Sequence, residues 1–214
     1  EPPKRYDNQV FVLHNHEPQC SFSKNHVIFK DTWKSCFNWT MWYREDSDIH
    51  EPYGLIVKRR QVLETNFTEI YFKKTKMAAA MVSNCNGQSQ RMKYIRKLMT
   101  LGVEIDVFGA CGEHSCPRGK DGDCRDNINK RYKFFLSFEN SFCPDYISEK
   151  FFHPYQGDII NVARGGGNYS KEAPEGTYIN TRDFKTIKDV ADYIIRLSKN
   201  KDEYIHILKQ KNKY

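Results

Sequence analysis

The strongest constraint on the fold is a regular alternation of apolar and helical segments that begins after residue 76. The apolar segments are typical of buried strands and span 78–82, 103–108, 133–138, 158–163 and, more briefly, 177–179. Helical segments with an apolar face or a clear start signal span 91–101, 145–152, 186–198 and 202–211. Because strands that alternate with helices are joined by right-handed crossovers, this pattern predicts a parallel, Rossmann-like sheet. Such sheets bind ligands at the carboxyl ends of their strands.

The first 75 residues lack this regular alternation of apolar and helical segments. One apolar run, from Val10 to Leu13, predicts a buried strand that leads directly into the polar cluster His14 to Pro18. The aromatic and charged stretch 37–54 has no clean period and predicts loops around short elements. The short polar segment at residues 73–76 is typical of a linker between domains. We therefore expect one domain over 1–75 and a second over 76–214.

Composition excludes several classes of protein. With 39% hydrophobic and 14% aromatic residues, the chain has enough apolar material for a core and is neither disordered nor collagen-like. No run reaches the ~18 apolar residues that a membrane-spanning helix needs. The sequence starts with Glu1-Pro2-Pro3 and has no signal-peptide pattern, so we expect any membrane anchor in a segment upstream of it.

The net charge of +7 favours anionic partners, although a mildly basic, solvated surface carries the same charge. A basic nucleic-acid-binding domain is one candidate. Such a domain would cluster its lysines and arginines or carry an RNA-binding motif. The basic residues here are scattered along the chain and no such motif is present, so we expect no nucleic acid partner.

The seven cysteines are compatible with disulfides, a metal site or unrelated buried thiols. Three N-x-S/T sequons, at Asn38, Asn66 and Asn168, favour the first explanation, because sequons and clustered cysteines together fit an oxidising secretory compartment. The odd number leaves at least one thiol without an intrachain partner.

The cysteines between residues 111 and 124 flank His114, which could suggest zinc. Their spacing lacks a second CxxC pair, and we therefore expect disulfides instead. Cys85 and Cys143 follow strands at the same end of the predicted sheet. We expect one disulfide between these two cysteines.

The segment 139–150 follows a buried strand and runs into a helix, where a doubly wound sheet holds its ligand. A helix N-terminus offers unpaired N–H groups, Lys150 adds a charge suited to phosphate, and Glu149 can accept hydrogen bonds from sugar hydroxyls. Arg91, at the start of another helix, is suited to binding a diphosphate. A capped helix with a solvated Glu-Lys pair and a surface arginine are the alternatives, and spacing alone does not decide between them.

Five stretches together resemble one known family. They are FNWTMWYREDSDIHEPYG at 37–54, MVSNC at 81–85, DVFG at 106–109, RYKFFLSFENSFCPDYISEKFF at 131–152 and GGGNYSKEAPEGTYINTRDF at 165–184. In this order and over nearly the whole chain, they are similar to the inverting α1,3-fucosyltransferase family. The stretch from Tyr132 to Phe151 is the most specific of them.

The resemblance implies a GT-B-like α/β fold, in which an acceptor-binding domain faces a Rossmann-like, parallel-sheet domain that binds GDP-fucose. Residues 76–214, including the C-terminal helices, would form the donor domain. Residues 1–75 would belong to the acceptor side. They are few for a whole Rossmann-like domain, so we expect an acceptor domain that is incomplete at its N-terminus, and activity of this chain alone is in question.

The resemblance also implies roles for individual residues. Arg91 would bind the donor diphosphate, Asn140 would line the nucleotide pocket, and three residues would contact the fucose and phosphates, namely Tyr146, Glu149 and Lys150. Glu17 matches the Glu-containing segment of the family and is the expected general base. Glu149 is a second catalytic candidate, because a carboxylate near the sugar stabilises an oxocarbenium-like transition state.

The implied reaction transfers L-fucose from GDP-fucose in α1,3 linkage to GlcNAc of a glycoprotein or glycolipid glycan, with inversion. We expect no required cofactor and no metal ligands, with at most a stimulation by Mn²⁺ or Mg²⁺. Asp46-Ser47-Asp48 has the form of a manganese-binding Asp-x-Asp motif but lies outside the donor half. The parent is expected to be a Golgi type II membrane protein. A catalytically inactive GDP-fucose-binding relative is the alternative.

Overall fold

A computed structural model of the protein describes residues 4–22, 26, 30–33, 35–116 and 121–214. Within these residues it contains two parallel sheets, which confirms the predicted α/β class with a Rossmann-like parallel sheet. The smaller sheet has the order β1-β2-β3 and is formed by β1 (Val12–Asn15), β2 (Trp39–Trp42) and β3 (Ile49–His50). It brings the polar cluster, which begins in the second half of β1, alongside the aromatic stretch that contains β2 and β3.

The larger sheet is formed by β4 (Lys76–Met81), β5 (Ile105–Phe108), β6 (Tyr132–Phe138), β7 (Ile160–Arg164) and β8 (Ile179–Asn180). Its spatial order is β5-β4-β6-β7-β8, which is the 2-1-3-4-5 order of a flavodoxin-like doubly wound sheet. The chain passes from β5 on one side of β4 to β6 on the other side. The switch point of the sheet, where such folds bind ligands, therefore lies between β4 and β6.

The centre of the larger sheet is β6, which is buried on both faces. Phe134, Leu136 and Phe138 lie in the main core together with apolar residues of the neighbouring strands and helices. Phe135 points to the opposite face and packs in a second cluster with Ile128. A strand buried on both faces has a nearly continuous apolar sequence rather than an alternating one, which explains why β6 was clear from the sequence.

The helices of the described residues are α1 (Phe67–Lys73), α2 (Arg91–Thr100), α3 (Asp121–Arg131), α4 (Glu149–Tyr155), α5 (Tyr169–Glu172), α6 (Ile187–Lys199) and α7 (Lys201–Lys211). Thr186 and Asp189 form a capping box at the start of α6. In the part of the chain that the structure describes, none of these helices combines the length and the apolar character that crossing a membrane requires.

Three segments differ from the sequence-based expectation. The run Val10 to Leu13, expected to be a buried strand, forms β1 only from Val12, and both Val10 and Val12 are exposed. The helix expected from residue 145 begins at Glu149, because Asp145 has a positive φ of 60° and Ser148 is an extended N-cap. The stretch 109–129, for which the sequence pattern predicted neither a helix nor a strand, contains most of α3. This helix buries Ile128 but has no apolar stripe, so its sequence lacks the helical period.

The structure contains three disulfides, Cys20–Cys143, Cys85–Cys111 and Cys116–Cys124, and leaves Cys36 unpaired. The preference for disulfides over zinc at residues 111–124 is confirmed. The expected Cys85–Cys143 disulfide is wrong. Cys85 follows β4 and bonds to the cysteine after its neighbour β5, whereas Cys143 lies beyond β6 and faces the first half of the chain.

Strands β1 to β3 end at His50 and β4 begins at Lys76, so the two sheets lie on opposite sides of the expected boundary. The intervening segment contacts the second half, since Tyr53 and Ile56 pack against the aromatic cluster that contains Phe152. A division into domains 1–75 and 76–214 stays a prediction.

Candidate active site

The carboxyl ends of β4 and β6 meet at the switch point, and Arg91, the first residue of α2, lies between them. Its guanidinium donates to the carbonyl oxygen of Phe138 at 3.0 Å and to that of Asn84 at 3.4 Å. The residue is only 3% exposed, and its Nε has no hydrogen-bond partner among the described residues. Burial lowers the pKa of this guanidinium, and nearby Glu139 opposes that shift. Arg91 therefore brings a positive charge and an unsatisfied donor to the switch point.

Asn140 lies at the same edge of the sheet, two residues after β6. The loop after β4 packs directly on it, because a Cβ at Gly87 would lie only 2.9 Å from the Asn140 carbonyl oxygen. The Ser89 N–H donates to that oxygen at 2.9 Å. The side-chain Oδ1 of Asn140 is buried and has no partner in the described part of the chain. Since buried polar atoms are normally satisfied, the unsatisfied atoms of Asn140 and Arg91 favour a ligand at this edge.

Glu139 is fully buried and organises the start of α4. Its oxygens accept hydrogen bonds from the Ser148 N–H at 2.8 Å and from the Ser148 hydroxyl at 2.7 and 2.9 Å. The Lys150 Nζ donates to the Ser148 Oγ at 3.0 Å and lies 3.7 Å from Glu139 Oε2. Burial raises the pKa of Glu139, whereas Lys150 and Ser148 oppose the shift. Glu139 thus holds Lys150 and Ser148 in place.

Glu149, the first residue of α4, presents its carboxylate beside the same lysine. Lys150 Nζ lies 2.9 Å from Glu149 Oε1, and the Glu149 side chain remains 44% exposed. Burial alone would raise the pKa of Glu149, but the charge and hydrogen bond of Lys150 lower it below its ordinary value. Glu149 is therefore ionised at neutral pH and accessible to solvent.

Tyr146 connects this segment to the first half of the chain. It is only 2% exposed, and its ring packs edge-on against that of Tyr53, with the ring centres 5.9 Å apart. The Tyr53 hydroxyl in turn donates to the carbonyl oxygen of His16. Burial raises the pKa of both phenols, so both stay protonated and able to donate at neutral pH. We refer to Tyr146, Tyr53 and the His16 carbonyl as the tyrosine bridge.

Glu17 is the residue after His16, and its backbone is fixed while its side chain is exposed. The Glu17 N–H donates to Asn15 Oδ1 at 2.7 Å, and its carbonyl oxygen accepts from Trp42 Nε1 at 3.2 Å. Among the described residues, no hydrogen-bond or ion-pair partner is found for its carboxylate. A fixed backbone with an unpartnered carboxylate is suited to taking a proton from an incoming hydroxyl.

A disulfide joins the Glu17 segment to the segment that carries Glu149 and Lys150. Cys20, three residues after Glu17, is bonded to Cys143, and beside it the hydroxyls of Ser21 and Ser141 lie 2.9 Å apart. The tyrosine bridge connects the same two segments at a second point. The structure therefore brings the predicted base and the predicted donor-binding residues of α4 into one assembly.

Replacing both Cys20 and Cys143 by serine is expected to lower the free energy of unfolding by about 2–4 kcal/mol, because the disulfide closes a long loop in the unfolded chain. The 123-residue separation makes this the longest loop that a disulfide closes here. Chemical denaturation of the variant checks the value. Cys36→Ser is the matched control, since Cys36 has no disulfide partner. A double variant as stable as Cys36→Ser would contradict the expectation.

A basic cleft of about 340 Å³ opens beside the carboxyl ends of β6 and β7. It is lined by Arg164, Arg182 and Lys185, together with aromatic residues. The Arg164 guanidinium lies 4.4 Å from the ring centre of Tyr94 and 4.6 Å from that of Phe142. The volume of the cleft lies at the lower end of the range for small-molecule pockets. Basic groups beside aromatic faces are suited to a nucleotide with its phosphates.

Asp46 and Asp48 already have partners in the first half. Asp46 binds the Arg44 guanidinium at 2.5 and 2.7 Å, and Asp48 accepts hydrogen bonds from Thr40 at 2.7 and 2.9 Å. These bonds lower the pKa of each carboxyl. The arrangement favours a structural role for both residues. A different group could hold a metal ion, namely His14, His16 and Glu51, whose ligating atoms lie within 4.8 Å of one another.

Sequence reasoning did not single out several residues of this site. Arg164 ends β7 and is detectable by the same rule that selected the segment after β6, because both lie at the carboxyl end of a strand. Glu139 lies in the predicted ligand-binding segment 139–150, but the sequence gives no signal for its own role. Tyr53 had no signal, since its importance comes from contacts with Tyr146 and His16 that are distant in the sequence.

Two family models match the chain. The model described as "Glycosyltransferase family 10 (fucosyltransferase) C-term" matches residues 71–214, and "Fucosyltransferase, N-terminal" matches residues 1–54. Together they cover both sheets and all the site residues described above.

Similar curated proteins carry fucosyltransferase names. Alpha-(1,3)-fucosyltransferase fut-6 of Caenorhabditis elegans is 35% identical over 78% of this chain and 44% of the relative. Alpha-(1,3)-fucosyltransferase C of Drosophila melanogaster is 32% identical over 95% of this chain and 51% of the relative. The chain thus spans about half the length of the curated relatives it matches.

Solved structures of α1,3-fucosyltransferases have a similar fold. One crystallised with GDP-fucose superposes with a TM-score of 0.67 at 19% identity, covering 95% of this chain and 67% of the other. One crystallised with GDP superposes with a TM-score of 0.54 at 25% identity, covering 63% and 38% respectively. These likenesses agree with a GT-B-like arrangement of parallel-sheet domains.

Proposed function

Because this chain belongs to glycosyltransferase family 10, the fucosyltransferases, we propose that it transfers L-fucose from GDP-fucose in α1,3 linkage to GlcNAc of a glycoprotein or glycolipid glycan, with inversion at the anomeric carbon. The names of its relatives support the α1,3 linkage, and the GDP-fucose complex of a solved relative supports the donor. The GlcNAc acceptor and the inversion rest on the sequence resemblance.

One observation carries the proposal. The exposed carboxylate of Glu17, which has no partner among the described residues, belongs to the same assembly as Glu149 and Lys150, held by the Cys20–Cys143 disulfide and the tyrosine bridge. A base on one side and cationic groups on the other are what a single displacement at a sugar carbon requires.

Glu17 acts as the general base in this proposal. Its carboxylate takes the proton from an acceptor hydroxyl while the hydroxyl oxygen bonds to the anomeric carbon of fucose and the bond from that carbon to GDP breaks. Because attack and departure occur on opposite faces, one such displacement inverts the configuration. The hydrogen bonds of the Glu17 backbone to Asn15 and Trp42 keep the base in position.

The leaving GDP carries negative charge, and cationic groups of the second half stabilise it. Lys150 Nζ and the buried guanidinium of Arg91 lie at the start of α4 and at the switch point, respectively. The basic cleft around Arg164 takes the nucleotide, with its aromatic walls beside the base. The arrangement neutralises the diphosphate without a cofactor.

Glu149 stabilises the fucose ring as positive charge develops on it. Its carboxylate is ionised and 44% exposed, and Lys150 fixes it at 2.9 Å. Tyr146 and Asn140 complete the donor site, Tyr146 through its hydroxyl and Asn140 through its unsatisfied Oδ1. Mn²⁺ or Mg²⁺ at most stimulates the reaction in this proposal, by screening the diphosphate.

We assign the catalytic region to the Golgi lumen, with the parent protein a type II membrane protein anchored through a segment outside this sequence. Three disulfides and three sequons fit an oxidising, glycosylating compartment. Fractionation of tagged full-length protein, with endoglycosidase digestion of its glycans, tests this assignment.

Incubation with GDP-fucose and a glycan array is expected to give fucosylated products only on glycans that contain GlcNAc, each with an α1,3 linkage by methylation analysis. GDP-mannose in place of GDP-fucose serves as the donor control and should give no product. Calorimetric titration with GDP shows in parallel whether the preparation is folded and competent to bind. A folded, GDP-binding preparation that forms no product would favour the inactive relative instead.

A further inference from the structure

His14, His16 and Glu51 form a compact cluster on the smaller sheet that the proposed reaction does not use. The Nε2 atoms of both histidines contact one oxygen of Glu51, His14 at 2.6 Å and His16 at 2.8 Å. The two imidazole rings lie edge-on with their centres 5.0 Å apart. All three potential ligand atoms lie within 4.8 Å of one another.

The sheet register places these side chains together. β1 and β3 lie on either side of β2, with Asn15 beside Trp42 and Trp42 beside His50. His16 and Glu51 each follow the last paired residue, so they continue their strands on the same face. His14 precedes His16 by two residues and shares that face, because side chains alternate along a strand. The Glu51 N–H donates to the Trp42 carbonyl oxygen at 2.8 Å and fixes this end of the sheet.

The donor set fits a divalent cation of the zinc type. Two imidazole nitrogens and one carboxylate oxygen are the three protein ligands of many tetrahedral zinc sites, which leave the fourth position for water. The cluster is accessible, since the side chains of His14, His16 and Glu51 are 55%, 44% and 32% exposed. Without a bound cation, the contacts of the two histidines with Glu51 would add little to the free energy of unfolding, because the three side chains are accessible to solvent. A bound cation would give the same three groups a much stronger common partner.

We propose that His14, His16 and Glu51 bind one Zn²⁺ ion, which ties the end of β1 to the residue after β3. Imidazole ligands select late first-row cations, and affinity at such sites falls from zinc to manganese. The site therefore prefers Zn²⁺ to Mn²⁺ and Mg²⁺. Because Glu17 follows His16 directly, the ion also restrains the segment that carries the proposed base. Binding itself is independent of the proposed fucosyl transfer.

The test is a calorimetric titration of untagged, EDTA-treated and dialysed protein with ZnCl2 alone, with MnCl2 and MgCl2 in parallel. We expect one Zn²⁺ per chain, weaker binding of Mn²⁺ and no measurable binding of Mg²⁺. His14→Gln and Glu51→Gln are each expected to weaken Zn²⁺ binding by more than about 100-fold, since each removes a direct ligand. Thermal denaturation should show a higher Tm with Zn²⁺ for the natural sequence but not for His14→Gln or Glu51→Gln.

Two matched controls locate the site. His206→Gln removes an exposed histidine of α7, and Cys36→Ser removes the unpaired thiol, so both should bind Zn²⁺ like the natural sequence. Thermal denaturation without metal shows whether each variant folds. The visible absorption of bound Co²⁺ gives a second measurement that depends on imidazole ligation. Equal Zn²⁺ affinity in the natural sequence and in His14→Gln would overturn the proposal, as would loss of binding in Cys36→Ser.

Discussion

Glu17→Gln is expected to lower turnover by about 10³-fold, because an amide cannot accept the proton of the acceptor hydroxyl in the transition state. The substitution keeps the size of the side chain and leaves the backbone hydrogen bonds of Glu17 to Asn15 and Trp42 in place. Donor binding should therefore not change. Initial rates of GDP release with saturating donor and acceptor measure the first effect, and calorimetric titration with GDP measures the second.

Glu64→Gln is the matched control for this experiment, since Glu64 is an exposed glutamate outside the site. It should retain the turnover of the natural sequence. Near-natural turnover in Glu17→Gln, with unchanged GDP affinity, would exclude Glu17 as the base. A parallel loss of turnover and GDP binding would indicate a structural effect instead.

Lys150→Met is expected to have two large effects. Turnover should fall by about 10²- to 10³-fold, because the developing charge on GDP loses a cationic partner. The free energy of unfolding should fall by about 3 kcal/mol, because the fully buried Glu139 loses the counter-charge that lies 3.7 Å away. Steady-state kinetics and chemical denaturation measure the two effects separately.

The destabilisation should depend on pH. Burial already raises the pKa of Glu139 in the folded protein, and removing Lys150 raises it further. The folded variant then binds a proton that the unfolded chain releases, so its stability improves as pH falls below the folded pKa and worsens as pH rises through it. Denaturation at pH 5 and pH 8 measures this dependence. The free energy of unfolding of Lys150→Met should fall further below that of the natural sequence at pH 8 than at pH 5.

The double variant Glu139→Gln/Lys150→Met separates the effect of Lys150 on stability from its effect on turnover. Removing the uncompensated charge should restore most of the stability, whereas turnover should stay low. Lys171→Met is the matched lysine control, because its partner Glu45 is exposed and such pairs contribute little. Recovery of turnover in the double variant would show that Lys150 acts only through Glu139.

The larger sheet could be predicted from the sequence because its central strands are buried on both faces. β6 and β7 are nearly continuous apolar runs, and the polar residues that follow them mark the ligand-binding edge. The donor-side residues Asn140, Glu149 and Lys150 follow from this rule together with the family resemblance. Their roles in catalysis remain predictions, and the variants above test that of Lys150.

Other parts of the structure could not be predicted because they depend on contacts between distant segments. The Cys20–Cys143 pairing depends on how the first half docks beside β6, and neither cysteine indicates its partner by spacing. Tyr53 and Glu51 belong to an aromatic stretch without a period, where strand register alone brings Glu51 to the histidines of β1. Helix α3 was missed because it buries too few apolar side chains to show a period.

The Cys20–Cys143 disulfide and the tyrosine bridge also limit how the protein can move. The disulfide and the hydrogen bond from Tyr53 to the His16 carbonyl oxygen connect the segments that carry Glu17 and Glu149, and these connections limit how far the two segments can separate. Their relative placement is settled during oxidative folding, before any substrate arrives. In the proposed reaction, the orientational entropy of bringing the proposed base and the proposed donor site together is therefore lost on folding rather than on substrate binding.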